Sequence, residues 1–512
     1  MKFSKSYSLL FLILIIALIF SKAISLVSFG FEFTGNDDLI FWQMAQDYSQ
    51  GIFHEPFMYG QNYNYGIESL FSIPLLWLGV PLRYALPITT AWMGIFPFVV
   101  FAIGFFRKKH VSSAFLFLLI PILMPIEYDI ITTITRGFIN GLFFTSFLVF
   151  PVLSPVKIRS FWIFGLFSSL AVITNPNSVI FILPIGLYLL FVNFRSIQFY
   201  VITFISMLPA FVLYYFSKQF YVTHPDYVVH QLPEITYAFS RVWETLQQMD
   251  RSFAFLTPVF FHGNWWVLLV LLFGSIWLIR KDWKKGVSIL LGIVFLLFSL
   301  GINKVEEGVG VIFFSPTRMF LALPMLLGLL LGWALKSKTN NKFNLSIVFV
   351  SVLFLGIKMT LIIDTVSKHT DVRSYGPVAI ENIEILKKQC ETFNSVIQNR
   401  KVDLVVFTLS SKKYVPEVSF YNFGCELLLP NFPESTMLHK ERRTWLYAKY
   451  KKEKIGSILF LNYEYNEELA RNSGLDYEII PEISDAILIQ NSEYTLPQIC
   501  QLFELRYERD TD

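Results

Sequence analysis

The stretch SYSLLFLILIIALIFSKAISLVSF, residues 6–29, decides the class of this protein. It is an apolar run of the length that crosses a hydrocarbon core, about 20 residues. Lys2 and Lys5 precede it, as basic residues precede a signal peptide. An h-region, however, is only about 7–15 residues long and ends in small residues suited to cleavage. This run is longer and has no such end, so it reads as a first membrane span. Either reading delivers residue 30 onward to the outer side.

Ten further apolar segments follow, at 84–106, 111–128, 137–154, 160–175, 178–194, 198–217, 257–279, 286–303, 318–335 and 343–363. Composition agrees. Of 512 residues, 54% are hydrophobic and 16% charged, against about 25% charged in a soluble domain. Mean hydropathy is +0.53. The net charge of +4 is scattered in short clusters, so nothing points to a nucleic-acid partner.

Those clusters orient the chain. Arg107-Lys108-Lys109, Lys157 with Arg159, Arg195, Arg280 to Lys285 and Lys336 to Lys342 all fall in one alternating set of loops. Residues 30–66, in the other set, contain no Lys or Arg. Basic loops stay cytoplasmic. The N-terminus is therefore expected inside, and an odd number of spans puts the C-terminal region outside. The expected architecture is a mainly α, polytopic membrane protein of about eleven transmembrane helices. Residues 1–365 form the membrane domain and 366–512 an extracytoplasmic α/β domain.

That last region has ordinary charge content. Ile383 to Asn399 shows a helical pattern, and Val402 to Thr408, Ser457 to Leu461 and Ala486 to Gln490 suit strands. It holds all three cysteines, Cys390, Cys425 and Cys500, with no CxxC or Cys/His cluster. Outside the cytoplasm they allow one disulfide with one thiol left over; three free thiols is the alternative.

The first outer loop, 30–83, is long, and long loops tend to be functional. Its later part, Ile67 to Val80, fits a helix lying in the membrane interface, with Trp77 at head-group depth. Its start reads Gly35-Asn36-Asp37-Asp38-Leu39-Ile40-Phe41-Trp42. Acid at the start of a helix serves as cap and dipole partner. A carboxylate at a membrane surface also serves as a general base, taking the proton of an attacking hydroxyl. The two roles can be shared between Asp37 and Asp38. Downstream comes His54-Glu55-Pro56-Phe57-Met58-Tyr59-Gly60-Gln61-Asn62-Tyr63, with Glu68 beyond. Rings stack on sugars and amides bond their hydroxyls, although interfacial aromatic belts have the same composition.

One span, an outer loop opening on an acid pair, then an interfacial helix: this order resembles the GT-C superfamily of membrane glycosyltransferases. The protein O-mannosyltransferase, aminoarabinose transferase and rhizobial lipopolysaccharide-core transferase group is the most similar. Thr174-Asn175-Pro176-Asn177-Ser178 and Ser315-Pro316-Thr317-Arg318-Met319-Phe320-Leu321-Ala322-Leu323-Pro324 are similar to two further segments of that group. The resemblance implies inverting transfer of a sugar from a polyprenyl-phosphate donor to a glycolipid, polysaccharide or protein outside the cytoplasm. In a bacterium it implies the inner membrane. The base is then Asp38 or Asp37, with Asp38 favoured by position. His54, Tyr59, Gln61, Tyr63 and Glu68 become substrate-binding candidates. Glu127, Asp129 and Arg136, at the ends of the third and fourth spans, join them. Arg318 stands where a cation would meet the leaving phosphate.

No cofactor is required by this reading, and a divalent cation bridging acids and phosphate stays open. His224, His230 and His262 match no compact metal motif. Two other functions compete: a transporter or flippase for lipid-linked glycans, with Asn175-Pro176-Asn177 as a broken helix, and a non-catalytic membrane assembly factor.

Overall fold

The computed structural model describes residues 5–232, 234–257, 265–308, 311–335, 341–370, 380–408, 417–438, 441–461, 472–483, 485–490, 493–505 and 507. Each of the eleven predicted spans contains helix. Among the described residues, six helices are long and apolar enough to cross a membrane: Lys5–Gly30, Leu82–Arg107, Pro176–Asn193, Ile197–Thr223, Pro316–Ala334 and Asn341–His369. The others are shorter, and proline explains one of them. The helix predicted over 111–128 stops at Leu123. Met124 is extended because Pro125 follows it, and a separate short helix, Ile126–Ile131, then begins. Lys336 and Lys338 of the last basic loop lie outside the described residues, as does His262.

The chain forms two compact units. The first comprises Met1–Phe31, Leu86–Phe216 and Pro233–His369, and holds most of the apolar helices. The second gathers Glu32–Ala85, Ser217–Leu232 and Thr370–Asp512. The first loop and the C-terminal region thus fold together.

Their junction is a short antiparallel ladder. Strand β1 (Phe33–Gly35) pairs with β2 (Ile380–Asn382). Helix α1 (Asn36–Ser49) starts where β1 ends. Helix α2 (Ile67–Trp77) inverts the usual amphipathic order. Its buried residues are Glu68, Ser69 and Ser72, while Leu70, Phe71 and Trp77 face outward, Trp77 at 73% exposure. Polar inside and apolar outside is the pattern of a helix whose outer face meets lipid.

Beyond β2 comes helix α3 (Ile383–Arg400), then β3 (Leu404–Phe407), α4 (Glu417–Leu428), β4 (Ser435–Met437), α5 (Thr444–Tyr450), β5 (Ser457–Leu461), β6 (Asp476–Ile479), β7 (Ile487–Gln490) and α6 (Leu496–Leu502). The sheet order is β4-β3-β5-β7-β6. β3 runs parallel to both β4 and β5, and β7 runs antiparallel to β5 and β6. Leu404, Val406, Ile458, Phe460, Ile487 and Ile489 build the core with Leu496 and Ile499 of α6. The three strands expected from sequence are the central ones, where apolar runs are continuous. The two unforeseen strands are the edges: β4 is only three residues long, and β6 is largely exposed and polar.

Cys390 of α3 and Cys425 of α4 form a disulfide, and Cys500 is a buried free thiol. Of the two cysteine readings, the structure holds the bridged one. Denatured without reductant, the protein should take up one alkyl group per chain; after reduction it should take up three, as intact mass shows. Cys390→Ser should destabilise the second unit by about 2–4 kcal/mol, read from the denaturant midpoint.

Candidate functional site

Gly35 is extended, with φ −125° and ψ 168°, and ends the β1 ladder. The next residue enters α1, so the helix presents its first turn at the end of the strand pair. Asp38, at the third helical position, turns back and accepts the Gly35 N–H at 2.9 Å. That is the acidic half of a capping box; Gly35 has no side chain to return the bond. Asp38 is 5% exposed. Asp37 is different. Its side chain is 23% exposed, and Oδ1 lies 3.9 Å from Nη2 of Arg442.

The far end of α1 carries a second acid that the sequence did not single out. Asp47 Oδ2 accepts the Tyr59 hydroxyl at 2.7 Å, and Oδ1 accepts Gln43 Nε2 at 2.9 Å. His54 Nε2 stands 3.9 Å from the same carboxylate. The imidazole stacks on Trp445, with ring centroids 3.5 Å apart, and Tyr59 meets Trp445 edge-on at 4.8 Å. Burial raises the Asp47 carboxyl above its ordinary value, and the bonds from Tyr59 and Gln43 offset part of this. Burial lowers His54, which favours its neutral imidazole. Burial, with Asp47 beside it, pushes the Tyr59 phenol far up.

Glu55 locks the turn between them. It is fully buried, accepting the Gly60 N–H at 3.0 Å and the Tyr221 hydroxyl at 2.9 Å. Gly60 has φ +73°, which a side chain would strain. The N–H groups of Val229 and His230 both donate to the Gly60 carbonyl at 2.9 Å. Gln61 is buried beside this contact, the Tyr63 ring lies 6.5 Å from that of His230, and Glu68 is buried on the inner face of α2. The second unit therefore gathers Asp37, Asp38, His54, Tyr59, Gln61, Tyr63 and Glu68.

The other four expected residues belong to the membrane unit. Asp129 lies between Lys22 at 2.9 Å and Lys358 at 2.5 Å, and also accepts from Ser21 at 3.1 Å. All three charged groups are buried. This ion cluster cross-links the first span, the Ile126–Ile131 helix and the Asn341–His369 helix. Glu127 faces His369 at 3.6 Å. Arg136 donates to the Phe313 carbonyl at 2.9 Å. Arg318 is buried over the Phe314 ring at 3.8 Å and stands 3.6 Å from Glu307. Both guanidiniums approach the Phe138 ring, at 5.8 and 5.9 Å, so this pair, far apart in sequence, is brought together. Asn175 holds that loop: its amide donates to the carbonyls of Gly137 and Phe138, and its Oδ1 accepts the Asn177 N–H. The break at Asn175-Pro176-Asn177 is thus a capped helix junction.

Among the described residues, no group of three or more His, Cys, Asp and Glu stands together as a metal site. Sequence reasoning did not reach Asp47, Glu55, Arg442, Arg443 or Trp445 as site residues. The one local signal was Arg442-Arg443-Thr444-Trp445 itself, two cations and a Trp in a region otherwise read as a plain α/β domain.

No protein-family model and no curated protein sequence matches the chain. Solved structures do. ArnT from Cupriavidus metallidurans in the apo state aligns over 95% of this chain and 98% of its own, with a TM-score of 0.54 and 12% identity. ArnT from the same organism bound to undecaprenyl phosphate aligns over 93% and 97%, with a TM-score of 0.48 and 12% identity. The fold is therefore similar to that of the apo ArnT structure over nearly the whole of both chains.

Two stability effects follow from this chemistry. The native Asp47 carboxyl holds its proton more tightly than the unfolded one. Its contribution is therefore greatest below the unfolded carboxylate range and shrinks as pH rises through the folded value. Asp47→Asn, which keeps an acceptor for Tyr59, should flatten that part of the pH profile and raise the melting temperature at neutral pH. Asp129→Asn leaves two buried lysines uncompensated and should cost about 3–5 kcal/mol, seen as an early thermal transition.

Proposed function

We propose that the protein transfers a sugar from a polyprenyl-phosphate donor to an acceptor outside the cytoplasm, with Asp37 as the general base. One observation carries this reading: of the adjacent acids, Asp38 is buried and gives Oδ2 to the helix cap, while Asp37 stays partly exposed beside a guanidinium. A base must reach its substrate, so the role favoured for Asp38 by position passes to Asp37. The fold likeness supports a transferase of this type.

In the proposed step the Asp37 carboxylate takes the proton of an acceptor hydroxyl. The freed oxygen attacks the anomeric carbon from the face opposite the lipid phosphate. The carbon–oxygen bond to the phosphate breaks, and the polyprenyl phosphate leaves with the electron pair. The anomeric centre inverts. Asp37 ends protonated and returns its proton to water. Within the membrane unit, Arg136 and Arg318 are the proposed cations for a lipid phosphate, since both are guanidiniums that lie against aromatic rings. His54, Tyr59, Gln61, Tyr63 and Glu68 are proposed to shape the substrate site, His54 as a neutral imidazole. The Cys390–Cys425 disulfide supports an oxidising compartment for the C-terminal region, hence the outer side, with the N-terminus inside.

The test compares surface glycolipids and glycoproteins by mass spectrometry in cells lacking the gene, complemented with wild type, Asp37→Asn or Asp38→Asn. One sugar mass should vanish in the deletion and return with wild type. Asp37→Asn should lose about 10²–10⁴-fold in rate while expressing normally. Asp38→Asn should keep transfer and lose about 1 kcal/mol of helix capping. Full restoration by Asp37→Asn sinks the assignment.

A further inference from the structure

Arg442 is held with unusual care for a residue that makes so little contact of its own. Its neighbour Arg443 is buried and fully engaged. Arg443 pairs with Glu426 at 2.7 Å and Glu441 at 3.1 Å, and it donates to the Ser435 carbonyl at 2.6 Å and to Asn422 at 3.1 Å. Removing a partner from such a buried network is costly, so residues 441–444 are rigid. The stem of Arg442 lies against the backbone of Gly60. A Cβ there would sit 2.9 Å from Arg442 Cδ and 3.3 Å from its Cα. Gly60 itself is locked by Glu55. Two rigid segments therefore aim one guanidinium at Asp37.

That guanidinium is not satisfied. Nη1 is buried and makes no hydrogen bond, and Nη2 reaches Asp37 only at 3.9 Å, beyond hydrogen-bond range. Thr34 Oγ1 and Asn36 Oδ1, in the same strand-to-helix junction as Asp37, are also buried without a partner. Thr34 is 1% exposed. Buried donors and acceptors without a partner are uncommon, and three at one junction mark a place where a polar group fits. A planar guanidinium with a free donor fits an oxyanion, which it meets through short, charge-assisted bonds.

We infer that Arg442, supplied by the C-terminal region, is a substrate-binding residue that receives an anionic oxygen, of a phosphate or carboxylate, beside Asp37. This rests on Asp37 being the reactive acid, and its test does not require turnover. The anion belongs either to the lipid-borne phosphate of the donor or to a charged group on the acceptor.

Full-length protein in nanodiscs is titrated with two probes, undecaprenyl monophosphate in the bilayer and inorganic phosphate in solution. Wild type is compared with Arg442→Ala, Arg442→Lys, Asp37→Asn and Arg400→Ala. Arg400 is an exposed cation paired with Glu478 and Glu482, and serves as the control. Arg442→Ala should weaken binding about tenfold or more, and Arg442→Lys should recover part of it. Asp37→Asn should bind as tightly as wild type or tighter, because a negative neighbour is gone. Loss confined to the lipid probe assigns the donor phosphate; loss of inorganic phosphate assigns an anionic acceptor group. The inference is overturned if Arg442→Ala binds both probes like wild type, if wild type binds neither, or if Arg400→Ala loses as much as Arg442→Ala. Sugar transfer by the same samples separates the two ideas. If Asp37→Asn still transfers, the base assignment falls while the binding result on Arg442 stands.

Discussion

A ladder of three residue pairs, Phe33–Gly35 against Ile380–Asn382, governs the second unit. It is extended by the Ile383 N–H, which donates to the Glu32 carbonyl at 2.9 Å. A strand this short is weak alone. It matters because both partners continue directly into helices, α1 on one side and α3 on the other. The Asn382 side chain caps α3 by accepting the N–H groups of Glu384 and Ile385. The ladder therefore sets where two helices start, and with α1 it sets where Asp37 and Asp38 stand. The disulfide then ties α3 to α4, which supplies Asn422 and Glu426 to Arg443. A line of covalent and hydrogen-bonded connections runs from the strand pair to the segment that carries Arg442 and Trp445.

The same physics gives carboxylates different tasks. Ionised groups withdrawn from water must be paired. Asp38 is withdrawn and spends one oxygen on a backbone N–H. Asp129 is withdrawn more deeply and carries two lysines, which pull three helices of the membrane unit together. Glu55 is fully buried and meets a backbone N–H and a tyrosine hydroxyl. Asp37 alone of the acid pair keeps contact with solvent, at the cost of a longer, weaker ion pair. That partial exposure suits the proton-accepting role proposed for it. Charge at membrane depth usually marks function, yet in Asp129 its evident work is to hold helices in place.

Polarity is turned inward on one helix of the second unit. Helix α2 hides Glu68, Ser69 and Ser72 and exposes Leu70, Phe71 and Trp77. Ser69 bonds the Phe41 carbonyl at 2.7 Å, which ties α2 to α1. The hidden polar face thus does the packing that an apolar face does in water. A helix was legible in Ile67 to Val80, although its inward partners were not.

The sequence alone determined what depends on local pattern. Apolar length marks membrane spans because lipid offers no partner to a bare backbone. Continuous Val, Ile and Leu runs mark the central strands, and an acid pair after an extended glycine marks a helix start. These features need only neighbours a few residues away. The tertiary structure decided what depends on partners distant in the chain. That Asp38 caps the helix through Gly35 while Asp37 stands beside Arg442 depends on the fold, since Arg442 lies hundreds of residues downstream. That Asp129 is locked between Lys22 and Lys358, that Asp47 joins Tyr59 and His54, and that Trp445 stacks on that imidazole have no local signature. Side-chain chemistry can be read one residue at a time, but a site is a set of distances, and only the folded chain supplies them.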